Sequence, residues 1–118
     1  MNNAGIATEI HALSVKPGGN RIHESDTAEF DRTLAINTRG TYFGCKYAIR
    51  HFLKQEPWPV NSRGDATRGW IVNVASVAGL FALPGANAYV TSKHAVMGLT
   101  KEVAAYVLLH LYWRETYY

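Results

Sequence analysis

Residues 70 to 75, WIVNVA, are a short unbroken run rich in β-branched side chains. Gly69 bounds the run on one side and a turn signal over 76–79 bounds it on the other. That length and composition suit a strand of a parallel sheet, buried on both faces. After a loop carrying Gly79, Pro84 and Gly85, apolar residues recur from Ala88 onward at Ala95, Val96, Leu99 and Val103, a helical pattern. Strand, loop and helix in this order predict an α/β fold. Ser76 then falls at the carboxyl end of the strand, where open α/β sheets place their ligands.

Tyr89 and Lys93 are four residues apart in the expected helix. Residues i and i+4 share a helix face, so the two side chains should project together. A free phenol titrates near ~10, and an ammonium held beside a phenol favours the ionised form. Such a pair can serve as a general acid or base near neutral pH. A serine hydroxyl such as that of Ser76 could hold the same substrate oxygen while the proton moves. Taken alone, the pair more often means a half-buried ring and a solvated charge. The rest of the chain has to decide.

At 118 residues the chain has the length of one domain. Its hydrophobic share of 47% against 18% charged residues argues against wholesale disorder. A net charge of +3, scattered along the chain, gives no footprint for nucleic acid. The single cysteine, Cys45, excludes an internal disulfide, and with no N-x-S/T sequon or signal-peptide pattern the expected setting is cytoplasmic. The five histidines are dispersed, so no metal site is expected.

The chain opens on a turn-forming Asn3-Ala4-Gly5, where Gly5 could take positive φ or admit a ligand close to the backbone. Residues 7 to 25 read as loop with at most one short helical stretch. Asp26 or Thr27 suits an N-cap, with Glu29 in the first turn. A helical pattern then runs to about Gln55, with a kink expected near Asn37 and Pro57 and Pro59 as its stop. Gly40 and Gly44 suggest close helix packing. Residues 60 to 69 read as a polar loop, and Gly64 to Gly69 lacks the Lys-Ser/Thr of a phosphate-binding loop.

Four runs in order carry a resemblance: N-N-A-G at 2 to 5, N-T-R-G from Asn37, I-V-N-V-A-S-V-A-G from Ile71, and Y-V-T-S-K from Tyr89. Together they resemble the short-chain dehydrogenase/reductase family over roughly residues 2 to 105. The resemblance implies a Rossmann-like, doubly wound parallel α/β fold and hydride transfer between NAD or NADP and an alcohol or carbonyl substrate. It assigns Tyr89 as the proton donor or acceptor and Lys93 as its partner and ribose ligand. Ser76 becomes the substrate-orienting serine. Asn37 becomes the asparagine at a helix kink that holds a proton-relay water. Asn3, Ala4 and Gly5 fall beside the adenosine side of the cofactor, and Arg39 where some members carry a cofactor-contacting base.

Members of that family also carry a Gly-rich T-G-x-x-x-G-x-G turn for the pyrophosphate, and this sequence has none. The expected unit is therefore an incomplete domain over 1–105, about the middle half of the usual fold. An apolar and aromatic tail over 106–118, too short to span a bilayer, follows it. Two functional classes follow. One is an oxidoreductase on a small alcohol or carbonyl compound, with neither nucleic acid nor membrane as partner. The other is an inactive truncated chain that pairs with a full-length relative through helices 27–55 and 88–105, as a homo- or hetero-oligomer, or has no function.

Overall fold

The structure is a computed structural model and describes residues 1–9 and 21–115. Helix α1, Thr27–Leu34, begins where Asp26 turns the chain from extended backbone and accepts the Ala28 N–H at 2.9 Å. This is the expected N-cap, and it satisfies one of the orphan donors of the first turn. Helix α2 spans Gly40–Phe52. Between them the backbone does not break but widens: Ala35–Arg39 is a π-helical segment in which the Gly40 N–H reaches back to the Ala35 carbonyl. The kink expected near Asn37 is this inserted turn, and such insertions re-aim the side chains they carry. The Thr41 hydroxyl donates to the Asn37 carbonyl at 2.7 Å, giving that group a side-chain partner inside the widened turn.

Helix α2 ends five residues before Pro57, earlier than expected. Gln55 and Arg68 exchange bonds, with Arg68 Nε donating to the Gln55 carbonyl at 3.1 Å and the Gln55 amide donating to the Arg68 carbonyl. The polar loop read over 60–69 is the turn and second strand of a small hairpin that begins just before it, β1 (Trp58–Pro59) against β2 (Ala66–Thr67), antiparallel. Asn61 organises its turn by accepting the Arg63 N–H and donating to Asp65.

The WIVNVA segment departs most from expectation. It makes a single parallel bridge, between Asn73 and Asn2, with the Asn2 N–H on the Val72 carbonyl at 2.8 Å and the Val74 N–H on the Asn2 carbonyl at 2.9 Å. Its two faces are unequal. Asn73 is covered by the helices, bonding Thr100 at 3.0 Å and lying 3.5 Å from Cys45 Sγ. Trp70, Val72 and Val74 on the other face are 66%, 54% and 38% exposed. The segment is therefore half-buried on one side only, with a bare apolar face where a further layer of a parallel α/β sheet would lie.

Helix α3, Asn87–Glu115, lies over α1, the π-helical segment and a short turn at Val77–Gly79. It runs past the 88–105 expected from the sequence. The buried set at this junction is small or polar: Cys45, Ala78, Ala86, Ala88, Val96, Thr33, Asn37 and Ser92. A radius of gyration of 18.3 Å exceeds the value of about 13 Å for a compact domain of roughly 100 residues. The accessible area, 8654 Å², likewise exceeds the ~6400 Å² of a compact monomer of this mass. These are the dimensions of an incomplete domain.

Candidate active site

The site is assembled at the start of α3. Ala86 occupies the N-cap position, since its carbonyl accepts the first helical bond, from Val90, at 2.8 Å. An alanine offers no side-chain cap. Glu9 supplies one from across the molecule: its two carboxylate oxygens accept the N–H groups of Ala88 at 3.1 Å and Tyr89 at 2.9 Å. The carboxylate is buried and faces the positive end of the helix.

Tyr89 sits in that first turn, half-buried, and Lys93 follows one turn later. The Lys93 ammonium lies 5.7 Å from the centre of the Tyr89 ring. Lys93 is only 6% exposed, and a lysine is so buried only when its charge finds a partner. Here Nζ donates to the Val74 carbonyl at 3.1 Å, which ties the helix to the end of the WIVNVA segment. Ser76, two residues on, has extended backbone and caps the Val77–Gly79 turn, its Oγ accepting the Ala78 N–H at 3.2 Å. That bond uses the oxygen as acceptor and leaves the hydroxyl proton to donate.

Asn37 is wholly buried and its amide is fully engaged. Its Oδ1 accepts the Ile6 N–H at 2.8 Å, and its Nδ2 donates to the Ile6 carbonyl at 2.8 Å and to Ser92 Oγ at 2.9 Å. The π-helical turn thus clamps the loop that follows Asn3, Ala4 and Gly5. Those three residues are exposed. Gly5 does not use left-handed backbone. Its role is close approach: a Cβ there would lie 3.3 Å from Asn37 Oδ1 and 3.5 Å from Lys93 Nζ. Gly44 likewise admits a loop rather than a helix, since a Cβ would overlap the Asn2 side-chain amide. Gly40 meets nothing closer than its own helix's Ala35 carbonyl, so the G-x-x-x-G pair is not a helix-packing motif.

Gly5, Asn37, Tyr89 and Lys93 are therefore gathered, with Ser76 on the segment that Lys93 anchors. Arg39 is directed elsewhere: its guanidinium stacks 5.3 Å from the Phe43 ring, in a groove also lined by Asp31, Leu34, Thr38 and Tyr42. Sequence reading missed two residues. Ser92 was legible in principle, at i+3 from Tyr89 on the same helix. Glu9 had only an indirect signal, the missing cap at Ala86.

The model of the family described as short chain dehydrogenase matches residues 1–110. The chain belongs to this family. A 2-(R)-hydroxypropyl-CoM dehydrogenase of Xanthobacter autotrophicus is 40% identical over 104 residues, covering 88% of this chain and 34% of the relative. A 2-(S)-hydroxypropyl-CoM dehydrogenase 3 of the same organism is 35% identical, over 89% of this chain and 33% of the relative. A (+)-borneol dehydrogenase 2 of Salvia officinalis is 36% identical, over 89% and 30%. The chain thus spans about a third of the length of these relatives, less than the half expected from its motifs. No solved structure matches it. Membership in this family implies a Rossmann-like α/β fold, of which the described residues are an incomplete part. Among the described residues no helix is long and apolar enough to cross a membrane.

Proposed function

We propose that this chain carries the proton-transfer centre of an NAD- or NADP-dependent oxidoreductase acting on a small alcohol or carbonyl compound. The observation that carries the reading is the Lys93 ammonium, buried beside the Tyr89 ring and within reach of the exposed loop at Gly5. Among the described residues its one acceptor is the Val74 carbonyl, so two of its three N–H directions remain for ribose hydroxyls. The residues fit the nicotinamide half of the cofactor on these grounds. Bound there, a nicotinamide would supply or accept the hydride.

The chain's own residues handle the oxygen. In reduction Tyr89 gives its hydroxyl proton to the substrate oxygen, and in oxidation it takes the proton back. Lys93 stabilises the phenolate left behind. Ser76 donates its free hydroxyl proton to the same oxygen and fixes its position. Asn37 holds the Gly5 loop and, through Ser92, the first turn of α3. The relatives are named for both hands of a hydroxypropyl substrate and for borneol, so the proposal stops at the substrate class. The test is titration of the chain with NADH and NADPH, followed by turnover of a panel of ketones and aldehydes. Binding abolished by K93A and turnover abolished by Y89F would support the reading. Absence of any nicotinamide binding would overturn it for this chain.

A second reading rests on the bare surfaces. Trp70, Val72 and Val74 on one side, and Tyr42, Phe43 and Tyr47 along α2, are all exposed. In this reading the chain pairs with a full-length relative through α1, α2 and α3. Co-purification of the tagged chain with such a relative tests it, and a monomer that ignores the relative at equal concentration counts against it.

A further inference from the structure

We infer that Glu9 is a positioning residue for Tyr89, setting where the first turn of α3 stands relative to the loop at Gly5. The inference rests on the proposal that Tyr89 moves the proton.

The N–H groups that Glu9 accepts, Ala88 and Tyr89, are the second and third of the helix. These are the donors that an N-cap side chain takes when the cap is local. In this chain the cap lies 79 and 80 residues away in sequence, four residues after Gly5. A local serine or aspartate at position 86 would satisfy the same donors without fixing the helix to anything. A carboxylate from the Gly5 loop satisfies them and also sets a distance. Four consecutive covalent steps from Gly5 and two hydrogen bonds place the backbone of Tyr89. The same loop is gripped at Ile6 by Asn37, whose amide reaches Ser92, whose hydroxyl in turn donates to the Tyr89 carbonyl at 2.8 Å. Tyr89 is thus held through its N–H by Glu9 and through its carbonyl by Ser92, with both tethers leading back to residues 6 to 9.

The arrangement is selective for a glutamate. Glutamine keeps one acceptor oxygen but turns an NH₂ group against the second helix N–H, so only one bond survives. Aspartate is one methylene shorter and cannot span the gap with both oxygens. Charge matters too, because the carboxylate faces the helix N-terminus from a buried position. A displacement of order 1 Å at a reacting group can lower a rate by about a hundredfold.

The test uses the ¹⁵N-labelled 118-residue chain with three sequences: wild type, E9Q, and E9Q combined with A86S, which restores a local cap. In wild type the Ala88 and Tyr89 amide protons should lie downfield and be protected from exchange. In E9Q one or both should move upfield, with protection falling about tenfold to a hundredfold. Turnover should fall by a similar factor through kcat, with KM for the carbonyl substrate nearly unchanged. Adding A86S should return the melting temperature but not kcat. Unchanged Ala88 and Tyr89 amides in E9Q would overturn the inference, as would recovery of kcat together with the melting temperature. A wild-type chain that binds no nicotinamide sinks the catalytic reading of Tyr89 instead, and the amide shifts still decide whether Glu9 places that residue.

Discussion

Asn37 Nδ2 donates to Ser92 Oγ at 2.9 Å, joining the π-helical turn of one helix to the helix that carries Tyr89 and Lys93. Both residues are wholly buried, and Ser92 hands its own proton to the Tyr89 carbonyl at 2.8 Å. Neither group has water to fall back on. S92A removes the acceptor for the Asn37 amide and the donor to Tyr89 together. It should lower stability by about 1–3 kcal/mol, the cost of leaving buried polar groups unpaired. Urea unfolding followed by circular dichroism measures it. An unchanged midpoint would mean that the two helices do not communicate through this pair.

N37D is a sharper probe, because the change is one atom type. It replaces the donating NH₂ by an oxygen facing the Ile6 carbonyl, and Ser92 can answer that oxygen only by turning its proton away from the Tyr89 carbonyl, so one attraction becomes a repulsion and a second bond is lost around a buried charge. The loss should exceed about 3 kcal/mol at neutral pH, larger than for S92A. N37S, which keeps a donor but shortens it, should fall between wild type and N37D. Differential scanning calorimetry ranks the three, and any other order would place the amide's bonds elsewhere.

Tyr89 and Lys93 should separate stability from chemistry. Among the described residues the Tyr89 hydroxyl has no hydrogen-bond partner in the structure, so Y89F should change stability by less than about 0.5 kcal/mol. In a chain that turns over, it should reduce kcat by about 10²–10⁴-fold, the usual range for a lost proton donor. K93M keeps much of the buried stem but removes the bond to the Val74 carbonyl, and should lose stability as well as nicotinamide binding. Equal effects of the two substitutions on unfolding would argue against distinct roles.

Gly44 and Asn2 should behave as a coupled pair. A methyl group at position 44 meets the Asn2 amide, so G44A should cost about 1–3 kcal/mol by overpacking. N2A loses the 2.7 Å bond to Asn73 Oδ1 but opens the space. The double substitution should therefore cost less than the sum of the two, a coupling that distant, independent sites do not show. Additive losses in a double-mutant cycle would mean that Gly44 is there for another reason.

Much of the site was legible because its chemistry is local. Tyr89 and Lys93 announce themselves by helical spacing, and Asp26 by its place before a helix. The kink at Asn37 was readable from weak helix formers, although its form as an inserted π-turn was not, since propensity does not say where the missing hydrogen bond goes. What stayed hidden is long-range. The Glu9 cap joins residues nearly eighty positions apart, and nothing in the spacing of either segment marks the other. The WIVNVA segment misled for a related reason. Its composition reflects a sheet with two covered faces, whereas the described residues cover one. Composition reports the environment a segment suits, and the neighbours actually present decide its burial.

That bare face is itself testable. Val72 and Val74 are 54% and 38% exposed, so lysine at either position can keep its stem on the covered part and carry its charge into solvent. V72K and V74K together should leave the unfolding midpoint within about 0.5 kcal/mol of wild type. They should nonetheless change how the molecule associates, because an exposed apolar strip beside a segment with one paired edge is a template for further strand pairing. Sedimentation velocity over a hundredfold range of concentration should show wild type associating as concentration rises and the double lysine variant staying monomeric. If a complementary fragment of a full-length relative covers the same face, the lysines should abolish its binding while leaving the Asn37–Ser92 junction intact. If the variant unfolds instead, the face is covered within the chain itself, and the exposed strip is not a surface at all.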